Sequence, residues 1–266
     1  IFSSDEEGNE FQLTSSNSNS FRPRRNLAAN KIAYFQTTGA QLDIYTMNLD
    51  GSDKTRVTSS IKPNGFNLNE ISFSWPANSD RIYFPNFDKL YSINSNGQGL
   101  DDVYTTSDGS LISEVEVSDN NTIIVLKTNN INGYDVEIFT IDFSGNLLET
   151  VLTGVDGAAN GLSLSVTNQQ LIYSRDISGN EGPNYRRLDM RIFKYEFSTS
   201  TETEISFEKP AGTNDFEPRF SPNEAEVIFT NTSNDGISIR KVFKIDVNES
   251  DSREELFNNA FMPDWE

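Results

Sequence analysis

The feature that most constrains the fold of this chain is a short hydrophobic pattern that returns five times at nearly constant spacing. Each copy places an aliphatic residue, an aromatic residue, a polar residue and another large apolar residue in an alternation typical of β-strands. Their first residues are 46 to 54 positions apart, the length of a four-stranded propeller blade and too long for most helical repeats. The copies are Ile44-Tyr45-Thr46-Met47, Leu90-Tyr91-Ser92-Ile93, Ile138-Phe139-Thr140-Ile141, Ile192-Phe193-Lys194-Tyr195 and Val242-Phe243-Lys244-Ile245.

Three further strand patterns accompany each copy. Upstream lies a compact apolar run such as Ile32-Ala33-Tyr34-Phe35, which suits a strand packed on both faces. Before that run comes an inner-strand pattern such as Phe216-Glu217-Pro218-Arg219-Phe220. Turn residues such as Asp50-Gly51 and a β-rich segment follow the copy and indicate a hairpin. Each unit therefore supplies four strands.

The two ends of the chain supply parts of a sixth unit. Ile1-Phe2-Ser3-Ser4 and Phe11-Gln12-Leu13-Thr14 align with the third and fourth strands of the first unit, and Phe261-Met262-Pro263-Asp264-Trp265 copies an inner strand. We predict an all-β fold, a six-bladed β-propeller closed by a blade shared between the N- and C-termini. Such closure pairs the first and last blades and removes open sheet edges. One strand of the shared blade is not accounted for.

The predicted propeller is one domain over residues 1–266. Its blades cover roughly residues 15–59, 60–107, 108–154, 155–208, 209–258, and 259–266 together with 1–14, with a loop at 15–20. A pair of β-sandwiches is the alternative. It would show strands about every 8 to 12 residues without the longer repeat.

Composition excludes several kinds of chemistry. The chain has no His and no Cys, so Ser-His-Asp triads, Cys-His pairs, disulfides and Cys- or His-ligated zinc are impossible. Catalysis would rest on carboxylate, Lys, Tyr or Arg side chains. The formal net charge of −19 repels phosphate backbones, so we predict no nucleic-acid partner. The same charge also keeps a protein soluble.

Two Phe-x-Pro segments and the unit from Ile44 to Gly51 resemble the TolB-type, WD40-like (PD40-type) propeller repeat. The segments are Phe216-Glu217-Pro218-Arg219-Phe220-Ser221-Pro222 and Phe261-Met262-Pro263-Asp264-Trp265. The resemblance covers nearly the whole chain as an architecture, although the third and fourth units lack the Pro. It implies six blades, an extracytoplasmic location, and binding of a protein or peptide at the channel. TolB also carries an N-terminal α/β domain that nothing here resembles, so we expect a secreted or lipid-anchored relative.

The expected location is periplasmic or surface-exposed. No run of about 18 apolar residues occurs, so no transmembrane segment is predicted. The sequence starts at Ile1 in mid-pattern, which suggests removal of a signal peptide or lipid-attachment region. We expect a monomer.

Charged side chains on the inner strands are the first candidate binding residues, because inner strands line the channel of a propeller. A wall of mixed charge can hold a peptide's charged groups or clamp a carboxylate through bidentate Arg contacts. Alternatively, these charges pair with one another across a wet channel. The channel candidates are Arg22, Arg24, Glu114, Glu116, Glu217, Arg219 and Asp264, with Glu266 as a further member.

The longest connection between a second and a third strand, residues 174–191, is the second candidate region. It concentrates Arg and Tyr, which are enriched at binding hot spots, although such residues at loop tips also serve solubility alone. The connection at residues 128–137 is a second rim. The loop candidates are Arg175, Tyr185, Arg186, Arg187 and Arg191.

Neither a metal nor a cofactor is predicted. Asp50-Gly51-Ser52-Asp53 and Asp101-Asp102 offer oxygen ligands for calcium but lack the EF-hand spacing, and ordinary turns explain them. We therefore expect a non-catalytic binding propeller that recognises a protein, peptide or glycan. The alternatives are a carboxylate-based glycan hydrolase or lyase and an accessory propeller cut from a longer peptidase-like chain. Two free carboxylates about 5 to 9 Å apart would favour the hydrolase, and salt-bridged carboxylates would favour binding.

Overall fold

All regular elements in the described part of the chain are β-strands. The computed structural model describes residues 1–5, 8–120, 122–130, 135–156, 158–179, 188–249 and 251–265. These ranges contain no helix with the length and apolarity needed to cross a membrane. The strands are β1 (Phe2–Ser4), β2 (Glu10–Gln12), β3 (Ser20–Asn26), β4 (Lys31–Thr38), β5 (Gln41–Asn48), β6 (Thr55–Arg56), β7 (Arg81–Asn86), β8 (Lys89–Asn94), β9 (Asp101–Thr105), β10 (Leu111–Val117), β11 (Ile124–Asn129), β12 (Asp135–Ile141), β13 (Leu147–Asp156), β14 (Ala159–Leu164), β15 (Gln170–Asp176), β16 (Met190–Glu196), β17 (Thr201–Glu204), β18 (Thr213–Phe220), β19 (Glu226–Ser233), β20 (Lys241–Asp246) and β21 (Glu254–Asn258).

The strands form successive antiparallel sheets in which neighbours along the chain are neighbours in the sheet. The sheets β3 to β6, β10 to β13, β14 to β17 and β18 to β21 have four strands each. Strands β7 to β9 form a three-stranded sheet, and β1 pairs with β2 in a separate hairpin. These five larger sheets are the blades of a β-propeller, here numbered 1 to 5 in chain order. The five copies of the hydrophobic repeat lie on β5, β12, β16 and β20, the third strands of the four-stranded sheets, and on β8, the middle strand of blade 2.

Blade 2 differs from the others at its inner edge. Residues 71–75 occupy the place of the predicted inner strand, but only Ser74 pairs with β7. Ser74 and Tyr83 exchange two backbone hydrogen bonds of 3.0 and 2.9 Å. The segment therefore keeps the position of an inner strand without the full ladder.

The core consists of hydrophobic layers between neighbouring blades. Successive residues of a strand face opposite sides of its sheet, so a central strand serves two layers. In blade 1, Phe35 packs into the layer shared with blade 2, where its ring meets Phe73 edge-on at 4.8 Å. The adjacent Tyr34 packs on the other side with Leu13, beside the β1–β2 hairpin. Both Tyr34 and Phe35 are fully buried, which explains the continuous apolar run in the second strand.

The inner strands share a bulge that fixes which side chains face the axis. The pairing of inner and second strands shifts register after Phe21, Ile112, Asn160 and Phe216. Within three of these bulges the chain takes positive φ, at Arg22 (50°), Gly161 (74°) and Glu217 (56°). Such values are uncommon for residues other than Gly. Met262, in the segment Phe261-Met262-Pro263, has φ of 54° as well.

A candidate binding site in the central channel

Six side chains, one from each inner segment, line a cavity of about 200 Å³. We call them the channel ring. They come from blades 1 to 5 and from the C-terminal segment. The channel ring consists of Arg24, Ser74, Glu116, Ser163, Arg219 and Asp264.

The cavity opens toward the turns that join first to second strands, which we call the turn face. Its lining includes residues that follow the inner strands, among them Leu27, Ala77, Asp119, Val166 and Pro222. Neither Arg175 nor Arg191, the two predicted loop candidates within the described residues, lines this cavity.

Three members of the channel ring link one inner segment to the next. In each case a side-chain oxygen accepts a hydrogen bond from the backbone N–H that lies one residue beyond the neighbouring ring member. Such bonds satisfy polar groups that face a neighbouring blade rather than a strand partner. The bonds run from Val117 N–H to Ser74 Oγ (3.0 Å), from Phe220 N–H to Ser163 Oγ (3.2 Å) and from Arg25 N–H to Asp264 Oδ2 (3.0 Å).

Asp264 is committed to this role and to an ion pair. Its Oδ1 lies 3.4 Å from Nη1 of Arg24, which also donates to the Pro23 carbonyl at 2.9 Å. The side chains of Arg24 and Asp264 are 11% and 15% exposed. Burial raises the pKa of the Asp264 carboxyl, against the opposing effect of Arg24 and the Arg25 N–H.

Of the four charged side chains in the ring, Glu116 and Arg219 are the two that form no ion pair with another described residue. The carboxyl of Glu116 accepts no hydrogen bond from them, and burial raises its pKa to about 8. Arg24 opposes this rise, whereas Asp264 and Asp119 add to it. Arg219 is 6% exposed, and its one hydrogen bond within the described ranges goes from Nη1 to the Leu162 carbonyl.

The other channel candidates, Arg22, Glu114 and Glu217, each lie two residues before a ring member and bind protein groups. Nη2 of Arg22 lies 3.2 Å from Oε1 of Glu217, so this ion pair connects blades 1 and 5. Oε1 of Glu114 lies 3.1 Å from Nζ of Lys127, and its Oε2 accepts the Gly161 N–H at 2.8 Å. Because these charges are engaged, they connect blades and leave little capacity for a ligand.

The structure places both described loop candidates in strands. Arg175 lies in β15, donates to both oxygens of Glu202 at 2.9 and 2.7 Å, and covers the Phe193 ring at 4.1 Å. Arg191 lies in β16 and forms ion pairs with Asp189 and Glu204 at 3.2 and 2.7 Å. The remaining candidates, Tyr185, Arg186, Arg187 and Glu266, lie outside the described residues.

The two acidic clusters are engaged by protein groups, and only Asp50-Gly51-Ser52-Asp53 is a turn, because Asp101 and Asp102 begin strand β9. Oδ1 of Asp50 accepts from the backbone N–H and the hydroxyl of Ser52, and these bonds lower the pKa of Asp50. Asp101 and Asp102 pair with Arg81 and Lys89 at 2.7 and 2.6 Å. Within the described ranges, no group of three or more acidic side chains converges as a metal ligand set would.

Two members of the ring, Ser74 and Ser163, were missed by a search for charged residues. Both stand at the same place in their segments as Arg24 and Arg219. Aligning the inner segments with one another would have found them. The signal that marks Ser74 and Ser163 is their position in the repeat, since neither carries a charge.

The comparisons with known proteins show similarity to solved propeller structures. No family model and no curated protein matches the chain. TolB from Acinetobacter baumannii superposes with a TM-score of 0.70 at 15% identity over 92% of this chain, which spans only 56% of that protein. A putative TolB from Agrobacterium tumefaciens gives 0.72 at 15% identity, covering 97% of this chain and 89% of that one. An oligogalacturonate lyase in complex with manganese gives 0.62 at 10% identity, covering 97% and 72%. At these identities the similarity establishes architecture alone, and the chain has the β-propeller fold of TolB-type proteins.

Proposed function

We propose that this chain is a non-catalytic binding propeller whose ligand, a peptide or protein segment, enters the central channel from the turn face. One observation carries the proposal: Glu116 and Arg219 line the cavity and lack charged partners among the described residues. Arg219 is a buried charge without a counter-charge, and the Glu116 carboxyl has no hydrogen-bond partner within the described ranges; both arrangements are costly. A ligand that presents complementary charge or hydrogen bonds would remove that cost, so the ring is suited to binding.

The state of the channel carboxylates favours binding over hydrolysis. A carboxylate-based hydrolase needs two carboxyl groups available to the substrate. Asp264, Glu217 and Glu114 are each held by an Arg or Lys side chain, and Glu116 alone among the described channel carboxylates accepts no hydrogen bond. Asp119, at the rim, accepts the Ala77 N–H at 2.6 Å. Glu116 is therefore the one carboxyl of the channel ring without a hydrogen bond within the described ranges, which supports recognition over hydrolysis.

We further propose that residues 259–265 and 1–14 occupy one blade position, the sixth, between blades 5 and 1. Asp264 binds the N–H of Arg25 in the same way as Ser74 binds that of Val117 in the next blade. On the outer side, Leu13 lies so close to Gly51 that a Cβ there would stand 2.8 Å from the Leu13 carbonyl oxygen. Val57 of blade 1 has the same relation to Gly97 of blade 2, at 2.9 Å. Both ends thus repeat contacts that neighbouring blades make.

The proposed setting is extracytoplasmic and monomeric. It rests on the TolB-type repeat and on the acidic composition, with 40 Asp and Glu against 21 Lys and Arg. Cell fractionation with an antibody to the chain tests the first point. Sedimentation equilibrium tests the second, and a mass near 29.9 kDa is expected.

A selection experiment tests the binding function. The immobilised chain is presented with a random peptide library whose members carry free C-termini. We expect the wild type to enrich a peptide family and the double variant Glu116→Gln/Arg219→Met to lose that enrichment. Arg22 and Arg24 are left intact because they hold ion pairs that join blades.

Arg175→Met is the matched control, because Arg175 is a partly buried Arg of the second strand of blade 4 that pairs with Glu202 and does not line the cavity. It should keep the enrichment. Absence of any enriched family, or the same family on the double variant, would reject the channel as the binding site.

A further inference from the structure

We infer that the channel cavity binds the C-terminal carboxylate of a peptide, with Arg219 as its anchor and the last side chain of the peptide against the rim of the turn face. This inference rests on the proposed function and adds the chemical group that is recognised. Its three supports are the guanidinium, the size and rim of the cavity, and the protonation of Glu116.

The guanidinium of Arg219 is a preformed carboxylate site. Arg carries five N–H donors in a planar fork that matches the two oxygens of a carboxylate. Arg219 donates only to the Leu162 carbonyl within the described ranges, so the rest of its fork is available. The adjacent carboxylate on the ring, Asp264, is engaged by Arg24 and by the Arg25 N–H. A ligand carboxylate would therefore not compete with an existing ion pair of Arg219.

The size and rim of the cavity favour the end of a chain. Its volume of about 200 Å³ lies below the roughly 300 to 1,000 Å³ of pockets that enclose a drug-sized ligand. Leu27 and Val166 on its rim are 55% and 60% exposed, and Ala77 and Pro222 continue this apolar border. The end of a peptide fits this arrangement. Its carboxylate would lie among the polar side chains of the channel ring, and its last, apolar side chain would contact the apolar rim. A sugar acid would place its hydroxyl groups against that rim.

Glu116 sets the pH range in which an anion is tolerated. With its pKa raised to about 8, its carboxyl is mostly protonated at neutral pH, so it offers a hydrogen-bond donor and adds no repulsion. As the pH rises through that value the carboxyl ionises, and the affinity for a second carboxylate should fall. The charged groups that face it or flank it on its own strand are Arg24, Arg25, Asp119, Arg219, Asp264 and Glu114.

Two small probes that differ in one group test the inference. N-acetyl-leucine and N-acetyl-leucinamide are titrated into the full chain, and the Nε–H resonance of Arg219 is followed by NMR after assignment with Arg219→Lys. We expect the acid to shift this resonance and the amide to leave it unchanged. Arg219→Met should weaken binding of the acid about 10- to 100-fold, the effect of losing a charge-assisted hydrogen bond. Arg175→Met, the control, should bind the acid as the wild type does.

The pH dependence gives a second, independent readout on the folded wild type. Affinity for the acid should fall above about pH 8, and Glu116→Gln should remove this loss. Equal binding of acid and amide, or an Arg219 resonance that does not respond, would overturn the inference. If library peptides bind but their C-terminal amides bind as well, the proposed function survives and this inference fails. If trigalacturonate binds through Arg219 and no peptide does, both the inference and the peptide ligand are wrong.

Discussion

Replacing Glu116 with Gln should make the chain more stable relative to the wild type as the pH rises. The Glu116 carboxyl has a pKa of about 8 in the folded chain and 4.5 as its reference value. Between these values the folded state keeps a proton that the unfolded state has lost, so wild-type stability falls with increasing pH and the whole contribution is lost above the folded pKa. The full effect is about 5 kcal/mol at most. From about pH 5 to about pH 7, the advantage of the variant should grow by about 2 to 3 kcal/mol.

Urea unfolding at several pH values measures this difference directly, because the extrapolated free energy of unfolding is compared within each pH. Glu255→Gln is the control: Glu255 pairs with Lys241 at the outer edge of blade 5 and is 39% exposed. Its difference from the wild type should stay within about 0.5 kcal/mol throughout. A difference between Glu116→Gln and wild type that stays constant from about pH 5 to about pH 7 would refute the burial of this carboxyl in the channel.

Three further substitutions test the packing between blades. Gly161→Ala should lower the free energy of unfolding by about 3 kcal/mol or more, because the new Cβ would meet Glu217 Cα at 2.5 Å. Gly212→Ala is the control: it has a similar φ and open space, so it should cost about 1 kcal/mol. Thermal unfolding of both variants compares them. Leu13→Ala should lower the free energy of unfolding by about 2 to 4 kcal/mol, because it leaves a cavity beside Tyr34. Phe11 is 55% exposed, so Phe11→Ala should change the free energy of unfolding in urea by less than about 0.5 kcal/mol. Asp264→Ala should cost about 3 to 5 kcal/mol because it leaves the buried Arg24 charge unpaired; an unfolding midpoint equal to that of wild type would contradict the link from the C-terminal segment to blade 1.

The strands and their grouping were predictable from the sequence because burial on both faces leaves a periodic signal. The aliphatic–aromatic pair at Ile44-Tyr45 and its four copies mark the third strands, and runs such as Ile32-Ala33-Tyr34-Phe35 mark the second. The inner segment of blade 2 was predicted as a strand and keeps only the Ser74 pairing. Local pattern therefore specifies the order of strands better than the extent of each ladder.

The sequence did not predict which inner-strand charges join blades and which face the cavity, because the backbone bulge decides this. Positive φ at Arg22 and Glu217 shifts the register, so the charge at the bulge position joins blades while the charge two residues later faces the cavity. Of the three bulge residues with positive φ, only Gly161 is of a type that indicates such a φ from the sequence. Arg175 was expected in a loop, but its cross-strand contacts with Glu202 and Phe193 lie within the ladder region. Such partners are distant in sequence, so composition alone does not reveal them.

Calorimetric titration of an enriched peptide into the wild type and into Arg219→Met tests most directly whether the channel is the ligand site. The substitution should weaken binding about 10- to 100-fold while the folded structure persists. Equal affinity for both proteins would contradict it, because a ligand in this cavity must contact the one guanidinium on the ring that has no carboxylate partner among the described residues.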